Sequence, residues 1–573
     1  MFPKLIRPLN PMQIIRKDHD IFDAVIVGSG ATGGWVAKTL AESGMQVALL
    51  EAGHRTTEAE FTEHLRPYDL KYRGRSPEIA RNRPIQSMKY ACRESNFKWF
   101  VDDIRNPYTY PADKPFQWTR GRQLGGRSLT WARQSYRLSP LDFSAASHDG
   151  YGENWPMTYE EMAPYYETVE RYVGISGEPL GLMQFPDSIM QPPMAMTCGE
   201  KHFEQKVNAR FDRDVTIGRT AILTRPLNGR QPCHYCGPCE HGCVTHSYFS
   251  SVWTTVADAE KSGNCKVLTD AVVSHVTTDK DTGLADGVAY YDRLTRAPRK
   301  LRAKVVVLSA STLESTRILL NSGDGFCNSS GALGHYVMDH MYGGVSGVLP
   351  VKESKRWAGP PLRPNGLYLP RYLNVERPHT NGMIRGFGAQ MRNSSSYGSP
   401  RAIAAIPGFG KGFKRSVLES ESYWRFSLGT SSECLARYEN YVKLDPYVKD
   451  AWGIPALHMN VTWSDNEMRL FNYSADAGEE MLLAAGAEDI RKIATPRWPG
   501  GATHEVGTAR MGNDPRKSVL NKWGQAHDVK NLFVTDGAAF VTIGCVNPTL
   551  TMMALARRAS EYLVEAAKRG ELA

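Results

Sequence analysis

The chain is 573 residues long and 41% hydrophobic, which is enough apolar material to bury the cores of more than one domain. Its 69 basic and 60 acidic residues leave a net charge of +9, spread along the chain without an aromatic-interleaved basic patch, which argues against nucleic-acid binding. No stretch approaches the ~20 apolar residues of a membrane span, so the sequence predicts no integral membrane protein.

The N-terminal stretch, MFPKLIRPLNPMQIIRKDHD, carries charges but no continuous apolar segment and no twin arginine. It therefore predicts no export signal of its own. A cytoplasmic protein fits this start, and so does a protein that is exported in the company of another chain.

The next stretch, FDAVIVGSGATGGWVAKTLAESGMQVALLEAG, has the pattern of a strand, a helix and a second strand. We predict the strands over Phe22–Val27 and Val47–Leu50, and the helix from about Ala31 until Gly44 ends it. A G-x-G-x-x-G sequence separates the first strand from the helix, and an acidic residue follows the second strand. This combination is typical of a dinucleotide-binding βαβ unit.

Each residue of this unit has a predicted role. Gly28 permits the tight turn, Gly30 lets the backbone approach a pyrophosphate, and Gly33 lets the helix pack closely on the strand. The helix N-terminus, which includes Thr32, faces the phosphates. Glu51 is placed to accept hydrogen bonds from a ribose hydroxyl.

Four cysteines crowd the stretch CHYCGPCEHGC, whereas the whole chain contains ten. Cys233, Cys236, Cys239 and Cys243 follow the pattern C-x-x-C-x-x-C-x-x-x-C, which is the bacterial ferredoxin spacing of iron–sulfur ligands. Four thiolates also suit a structural zinc ion, and disulfides are a third interpretation. Disulfides fit worst, because cysteines three residues apart in a turn-rich loop pair with strain.

Later segments indicate further elements of an α/β protein. TRGRQLGGRSLTWARQSYRLSPLDF, from Thr119, is glycine-rich, and KVVVLSASTLESTRILLNS, from Lys304, predicts a strand, a turn and a helix. NLFVTDGAAF, from Asn531, predicts a strand, and NPTLTMMALARRASEYLVEAA, from Asn547, predicts a long amphipathic helix with Pro548 in its first turn.

In this order, the motifs GRQLGGRS, HEVGTARMG and VTDGAAF followed by NPTLT resemble the glucose–methanol–choline (GMC) family of FAD oxidoreductases. NWPMTYEEMAPYYETVERYVGISG resembles the family's sugar-oxidising branch, which includes the flavin-carrying subunits of bacterial sugar dehydrogenases. The resemblance implies an α/β fold, α+β overall. A Rossmann-like FAD-binding domain would comprise residues 1–145, 230–345 and 500–573, and a substrate domain with a large antiparallel sheet would comprise 146–229 and 346–499.

The same resemblance implies which residues surround FAD. These are Gly125, Gly126 and Ser128 along the flavin and pyrophosphate, Val273 at the adenine, Asp536 and Gly537 at the ribityl–phosphate region, and Asn547 and Thr549 near the flavin ring. Pyranose oxidases of the family attach FAD through a histidine at the position of Thr130. We therefore expect non-covalent FAD in this chain.

Oxidation of an alcohol removes a hydride from carbon, which the flavin N5 accepts, and a proton from oxygen, which the protein must accept. His504 and Asn547 occupy the family's two catalytic positions. Histidine suits the base because its unperturbed pKa of about 6.5 lies near working pH. The expected substrate is a sugar or glycoside, oxidised at a secondary or anomeric hydroxyl, with C3 of a glucoside among the compatible positions.

The related bacterial dehydrogenases hold a three-iron cluster on cysteines spaced C-x₅-C-x₃-C, a spacing that Cys233, Cys239 and Cys243 reproduce. Cys236 either completes a four-iron cluster or is a bystander. A cluster would make the protein a dehydrogenase that passes electrons to a cytochrome-type acceptor. The related large subunits are exported folded with a small subunit that carries the signal, so the resemblance favours a periplasmic location through co-export, with the cytoplasm as the alternative. The alternative is an oxygen-using oxidase with zinc at the cysteines.

Overall fold

The computed structural model describes residues 16–74, 76–211, 213–350, 363–395, 406–420 and 423–572. The first fifteen residues, which belong to the stretch without a predicted export signal, lie outside the described residues. Within the described ranges no helix combines the length and the apolar character that a membrane crossing needs.

The strands are β1 (Arg16–Val27), β2 (Val47–Leu50), β3 (Ile175–Ser176), β4 (Met190–Gln191), β5 (Thr216–Ile217), β6 (Cys265–Leu268), β7 (Ala271–Thr278), β8 (Ala285–Asp292), β9 (Pro298–Leu308), β10 (Met341–Pro350), β11 (Leu367–Leu369), β12 (Phe387–Ser395), β13 (Tyr423–Ser432), β14 (Tyr441–Lys449), β15 (Pro455–Asn460), β16 (Glu488–Lys492) and β17 (Leu532–Val534). The helices are α1 (Ala31–Glu42), α2 (Pro77–Asn82), α3 (Pro140–Phe143), α4 (Ala145–Asp149), α5 (Tyr159–Val173), α6 (Cys198–Phe211), α7 (Thr255–Lys261), α8 (Thr312–Leu320), α9 (Gly410–Ser420), α10 (Asp465–Ala484) and α11 (Thr549–Lys568).

The first sheet contains seven strands in the order β6-β2-β1-β9-β8-β7, with β17 beside the C-terminal part of β9. Strands β6, β2, β1, β9 and β17 pair in parallel, and β7 and β8 complete the sheet in antiparallel fashion. The central strands are apolar and buried where they approach the carboxyl edge, at residues 24–27 of β1, 47–50 of β2 and 305–308 of β9, as parallel strands covered on both faces are. Their carboxyl ends meet at one edge, which brings together the residues that follow β1, β2, β9 and β17.

Several predicted elements are confirmed here. Strand β2 has the predicted bounds, α1 begins at the predicted Ala31, and Gly44 follows its end with a φ of 91°. Strand β1 begins at Arg16, earlier than the predicted Phe22, because its N-terminal part pairs with residues 299 and 300 of β9. Pro548 is the N-cap of α11 rather than a residue within its first turn.

The second sheet contains six strands in the order β16-β10-β13-β12-β11-β5, and all its pairings are antiparallel. Alternate residues of β12 and β13 are apolar and buried, and they form a core with α6 and α10: Ala389, Met391, Phe426 and Leu428. The predicted fold class is thus confirmed, with a largely parallel Rossmann-like sheet and a separate antiparallel sheet.

The predicted division into domains stays a prediction; one strand crosses a predicted boundary, and one helix packs on a helix of the other predicted domain. Strand β10 (Met341–Pro350) runs through the boundary at residue 345 as one strand of the second sheet. Helix α5, assigned to the substrate domain, packs on α11 of the cofactor domain, where the Tyr166 hydroxyl lies 2.7 Å from Thr551 Oγ1.

Candidate active site

A cavity of about 690 Å³ lies between the carboxyl edge of the parallel strands and one face of the antiparallel sheet. Most of the residues predicted from sequence to bind the cofactor or to act in catalysis line it: Gly28, Gly30, Thr32, Glu51, Gly126, Ser128, Val273, His504, Asp536, Gly537, Asn547 and Thr549. Two predicted residues, Gly33 and Gly125, lie behind the lining. The structure thus brings segments more than 500 residues apart to one site.

The glycines of the β1–α1 turn differ in what surrounds them. Gly28 has a φ of 99°, which disfavours other residues, and a Cβ at Gly33 would lie 1.8 Å from the Gly28 carbonyl oxygen. A Cβ at Gly30 would meet nothing within 4 Å. Gly33 therefore serves helix–strand packing, while Gly30 leaves open space at the N-terminus of α1, where a pyrophosphate would fit.

Glu51 and the glycine-rich segment are linked through Ser29. The Ser29 hydroxyl donates to Glu51 Oε2 over 2.6 Å and accepts the Gly125 N–H over 2.9 Å. The Gly53 N–H also donates to Glu51, at 2.9 Å. Burial raises the pKa of Glu51 and these donors oppose the rise. The carboxylate is thus fixed at the end of β2 with its cavity side available to a ribose.

Asp536 follows β17 at the same edge of the sheet. Its carboxylate accepts the Ser315 hydroxyl at 2.5 Å and the Ala538 N–H at 3.0 Å. Burial raises the pKa of Asp536 to about 6. A Cβ at the neighbouring Gly537 would lie 2.5 Å from Thr312 Oγ1, so the close approach requires glycine there.

His504 and Asn547, predicted as the catalytic pair, lie in contact on the cavity wall. The amide Nδ2 of Asn547 is 3.0 Å from His504 Nε2, and the Asn547 Oδ1 accepts a 2.6 Å hydrogen bond from Gln390 Nε2. Gln390 thereby holds the Asn547 amide with its N–H toward the histidine. The backbone N–H of His504 donates to Asp339 at 2.9 Å, which fixes the histidine segment.

His340, which the sequence did not single out, determines the tautomer of His504. Its Nε2 is 2.9 Å from the carbonyl oxygen of Gly544, which only accepts, so Nε2 carries the hydrogen. Its Nδ1 then accepts from His504 Nδ1, 2.9 Å away. This assignment leaves the lone pair of His504 Nε2 directed at Asn547 and the cavity.

Burial supports the neutral state of both rings. It lowers the pKa of His340 to about 4, and it lowers that of His504 well below its usual value, an effect to which the charges of Lys89 and Arg127 contribute. A neutral His504 with an unprotonated Nε2, which here accepts the Asn547 amide N–H, is the form that can take up a proton. His504 is therefore neutral, and able to act as a base, before substrate binds.

The antiparallel sheet presents its polar face to the cavity. Gln390 lies opposite Gly429 and Arg392 opposite Ser427 in the β12–β13 ladder, and all four line the cavity. Because side chains alternate along a strand, this face is separate from the apolar face that packs on α10. A floor of amide, guanidinium and hydroxyl groups beside the catalytic pair suits a polyhydroxylated molecule.

The cysteine stretch forms a loop beside the cavity. Cys239 and Cys243 are buried, and Cys233 packs against them in one small cluster. Burial and the charge of the neighbouring thiolates raise the pKa of Cys236 to about 12. Within the ranges that the structure describes, no three His, Cys, Asp or Glu side chains converge as a metal-binding group.

The residues after the loop connect it to the cavity wall. The Tyr248 hydroxyl donates to the Leu129 carbonyl at 2.8 Å, and the Ser251 N–H donates to Ser128 Oγ at 3.1 Å. Arg133 lines the cavity, and its charge opposes the rise that burial causes in the pKa of Cys239. The loop and the cavity therefore share one wall.

Comparisons with known proteins agree with this architecture. Residues 22–342 and 436–556 match two family models that are both described as GMC oxidoreductase. The chain is 31% identical to a 2-methyl-1,2-propanediol dehydrogenase of Mycolicibacterium austroafricanum, over 95% of each chain. It is 29% identical to a fructose dehydrogenase large subunit of Gluconobacter japonicus, over 96% of this chain and 98% of the relative. The crystal structure of pyridoxine 4-oxidase from Mesorbium loti aligns with a TM-score of 0.59 at 18% identity, over 94% of this chain and 99% of that one.

Proposed function

Because the chain belongs to the GMC oxidoreductase family, whose members bind FAD, we propose that it is a dehydrogenase that oxidises a secondary or anomeric hydroxyl of a sugar or glycoside. The observation that carries this proposal is the position of the His504–Asn547 pair. It lies between the glycine-rich edge of the parallel sheet and the polar face of the antiparallel sheet. His504, the proposed base, thus lies between the part of the cavity proposed for the dinucleotide and the part proposed for the polyol.

The chain's own residues suit FAD at the parallel-sheet edge. Gly30 leaves open space at the N-terminus of α1, Glu51 and Val273 line the part of the cavity for the adenosine, and Asp536 and Thr549 line its other end. Bound FAD would supply the hydride acceptor. Thr130 lines the cavity where a covalently attached flavin would need a histidine, so the proposed FAD is non-covalent.

The proton chemistry follows from the tautomers. His504 Nε2 accepts the proton of the substrate hydroxyl, and the Nδ1–H of the resulting imidazolium stays hydrogen-bonded to His340. Asn547 Nδ2, fixed by Gln390, donates to the substrate oxygen and orients the carbinol. Both groups are in place without substrate, and the substrate hydroxyl replaces the hydrogen bond between Asn547 Nδ2 and His504 Nε2 before proton transfer.

Anaerobic reduction of the purified flavoprotein by a panel of aldoses, ketoses, sugar acids and glycosides tests the oxidation of sugars. We expect loss of the flavin absorbance near 450 nm, roughly the oxidised flavin maximum, with at least one class. A protein that retained FAD and was bleached by simple alcohols but by no sugar would refute a sugar substrate. A protein bleached by neither would be a non-catalytic flavoprotein.

We further propose that Cys233, Cys239 and Cys243, with Cys236 as a fourth thiol, bind an iron–sulfur cluster through which electrons leave the flavin. The spacing and the shared wall with the cavity support this proposal. Zinc is the alternative occupant, and it accompanies a second candidate function, an oxygen-using sugar oxidase. The lack of a converged metal-binding group in the described ranges bears equally on both occupants, so the metal analysis has to decide between them.

Iron, zinc and acid-labile sulfide, each measured per acid-released flavin on anaerobically purified protein, separate these alternatives. We expect about three or four iron and sulfide per flavin. Cys239→Ala is expected to remove the metal, and Cys92→Ala, at a buried thiol outside the loop, is the matched control. Zinc without sulfide, together with turnover on oxygen, would establish the oxidase instead.

Electrons that leave the flavin through a cluster need an acceptor outside the chain. We propose that this acceptor is a cytochrome-type partner. We also propose a small subunit that carries the export signal and takes this chain to the periplasm. Co-purification of the natively expressed chain from a periplasmic fraction tests both. Recovery of the active flavoprotein from the cytoplasm alone would refute the periplasmic location.

A further inference from the structure

Among the cations that line the cavity with the catalytic pair, three have no carboxylate partner in the described part of the chain and leave hydrogen-bond donors unused. Lys89, Arg392 and Arg497 all line the cavity, and each comes from a different segment. In the part of the chain that the structure describes, no carboxylate lies within ion-pair distance of any of them, whereas Arg127 beside them pairs with Glu505 at 2.9 Å. Uncompensated charge in a cavity is costly unless a ligand supplies the opposite charge.

Each of the three cations keeps hydrogen-bond donors free. The Lys89 ammonium donates to the Gly501 carbonyl at 3.2 Å, which uses one of its three hydrogens. The Arg497 guanidinium lies over the Tyr342 ring, 4.6 Å from its centroid, a contact that leaves the N–H edge unused. Arg392 lies on the sheet floor two residues from Gln390, and its side chain is exposed to solvent.

The carboxylates nearest the pair do not offset this charge. Glu505 is held by Arg127, and Asp339 accepts the backbone N–H groups of Ala502 and His504 at 3.1 and 2.9 Å. Burial raises the pKa of Asp339 to about 7 and lowers that of Lys89 to about 8, and the charges of Asp339 and Glu505 partly oppose the second effect. Neither carboxylate forms an ion pair with Lys89, Arg392 or Arg497.

We infer that the substrate carries an anionic group, a carboxylate or a phosphate, which Lys89, Arg392 and Arg497 bind while His504 faces the hydroxyl that is oxidised. The inference rests on the proposed function and narrows the substrate to an acidic sugar derivative. It assigns these three residues as specificity-determining. Three further arginines of the wall are assigned no part in it. Arg133 lies against the Tyr248 ring beside the cysteine loop. Arg120 and Arg122 are both hydrogen-bonded to Asn106.

Matched pairs of compounds test the inference on the FAD-loaded enzyme. D-gluconate is compared with D-glucitol, D-glucuronate with D-glucose, and glucose 6-phosphate with D-glucose, by titration calorimetry and by anaerobic flavin reduction. We expect the charged member of at least one pair to bind about ten- to a hundredfold more tightly. Preference confined to the acids identifies a carboxylate, and preference confined to the sugar phosphate identifies a phosphate.

Variants assign the effect to the named residues. Lys89→Met is expected to remove most of the preference, Lys89→Arg to retain it, and Lys71→Met, at an exposed lysine, to leave it unchanged. Arg392→Gln provides a second test at a position open to solvent. Equal affinity for the charged and neutral members of all pairs in the wild type would overturn the inference. Failure of every compound to reduce the flavin would count against the proposed oxidation, and calorimetry would still decide whether an anion is preferred.

Discussion

His504→Ala is expected to slow reduction of the flavin by substrate by about a hundred- to ten-thousandfold, the usual contribution of a general base, while FAD stays bound. His504 Nε2 is the unprotonated nitrogen that faces the cavity, and the His340–Gly544 chain fixes that tautomer. Stopped-flow measurement of the anaerobic half-reaction reports the loss directly, and the flavin-to-protein ratio reports retention. The matched control is His379→Ala, at an exposed histidine away from the cavity, which should behave as wild type.

The pH dependence of the wild type provides an independent check of the same assignment. The base must be neutral, so kcat/KM falls as pH decreases through the pKa of His504 in the free enzyme. Burial and nearby cations hold that pKa well below the ordinary value of about 6.5, so the acidic limb is expected below pH 6.5 and not near neutrality. A limb at or above 6.5 that persisted in His504→Ala would assign the base to another residue.

The sequence predicted those strands and helices whose residue pattern lies within a short stretch of the chain. The strand Val47–Leu50, the helix from Ala31 and the glycine after it follow from apolar runs and turn residues within about 25 positions. The extension of β1 back to Arg16 could not be predicted in this way, because the strand is completed by pairing with β9 about 280 residues later.

The same distinction separates the predicted from the unpredicted site residues. His504 and Asn547 stand in short motifs that the family shares, so the sequence could place them together. His340, Gln390 and Lys89 reach the site because β10, β12 and a loop before the glycine-rich segment converge on it, and no local pattern reports that convergence. Of these residues Lys89 contributes charge to the cavity, and its arrival there could not be predicted, which is one reason why the sequence left open which sugar is the substrate.

Gly33→Ala is expected to weaken FAD binding by about ten- to a hundredfold and to lower the melting temperature of the apoprotein. The new Cβ would lie 1.8 Å from the Gly28 carbonyl oxygen and 2.9 Å from its carbon, both rigid backbone atoms, so α1 must move away from the turn. Overpacking of this kind lowers the free energy of unfolding by about 1–3 kcal/mol. Because FAD requires the native position of α1, the displacement of the helix also weakens FAD binding.

Gly30→Ala distinguishes an effect on the packing of α1 against β1 from an effect on the binding of FAD. Its Cβ meets nothing within 4 Å in the protein, so the apoprotein should melt as wild type does, while FAD binding weakens because the methyl group enters the space proposed for the pyrophosphate. Gly412→Ala, at an equally open position in α9, is the control and should change neither quantity appreciably. Thermal melts of apoprotein and fluorimetric FAD titrations measure both effects. Retention of tight FAD binding by both Gly30→Ala and Gly33→Ala would remove the β1–α1 turn from the cofactor site, because neither the open space nor the close packing would then matter to the dinucleotide.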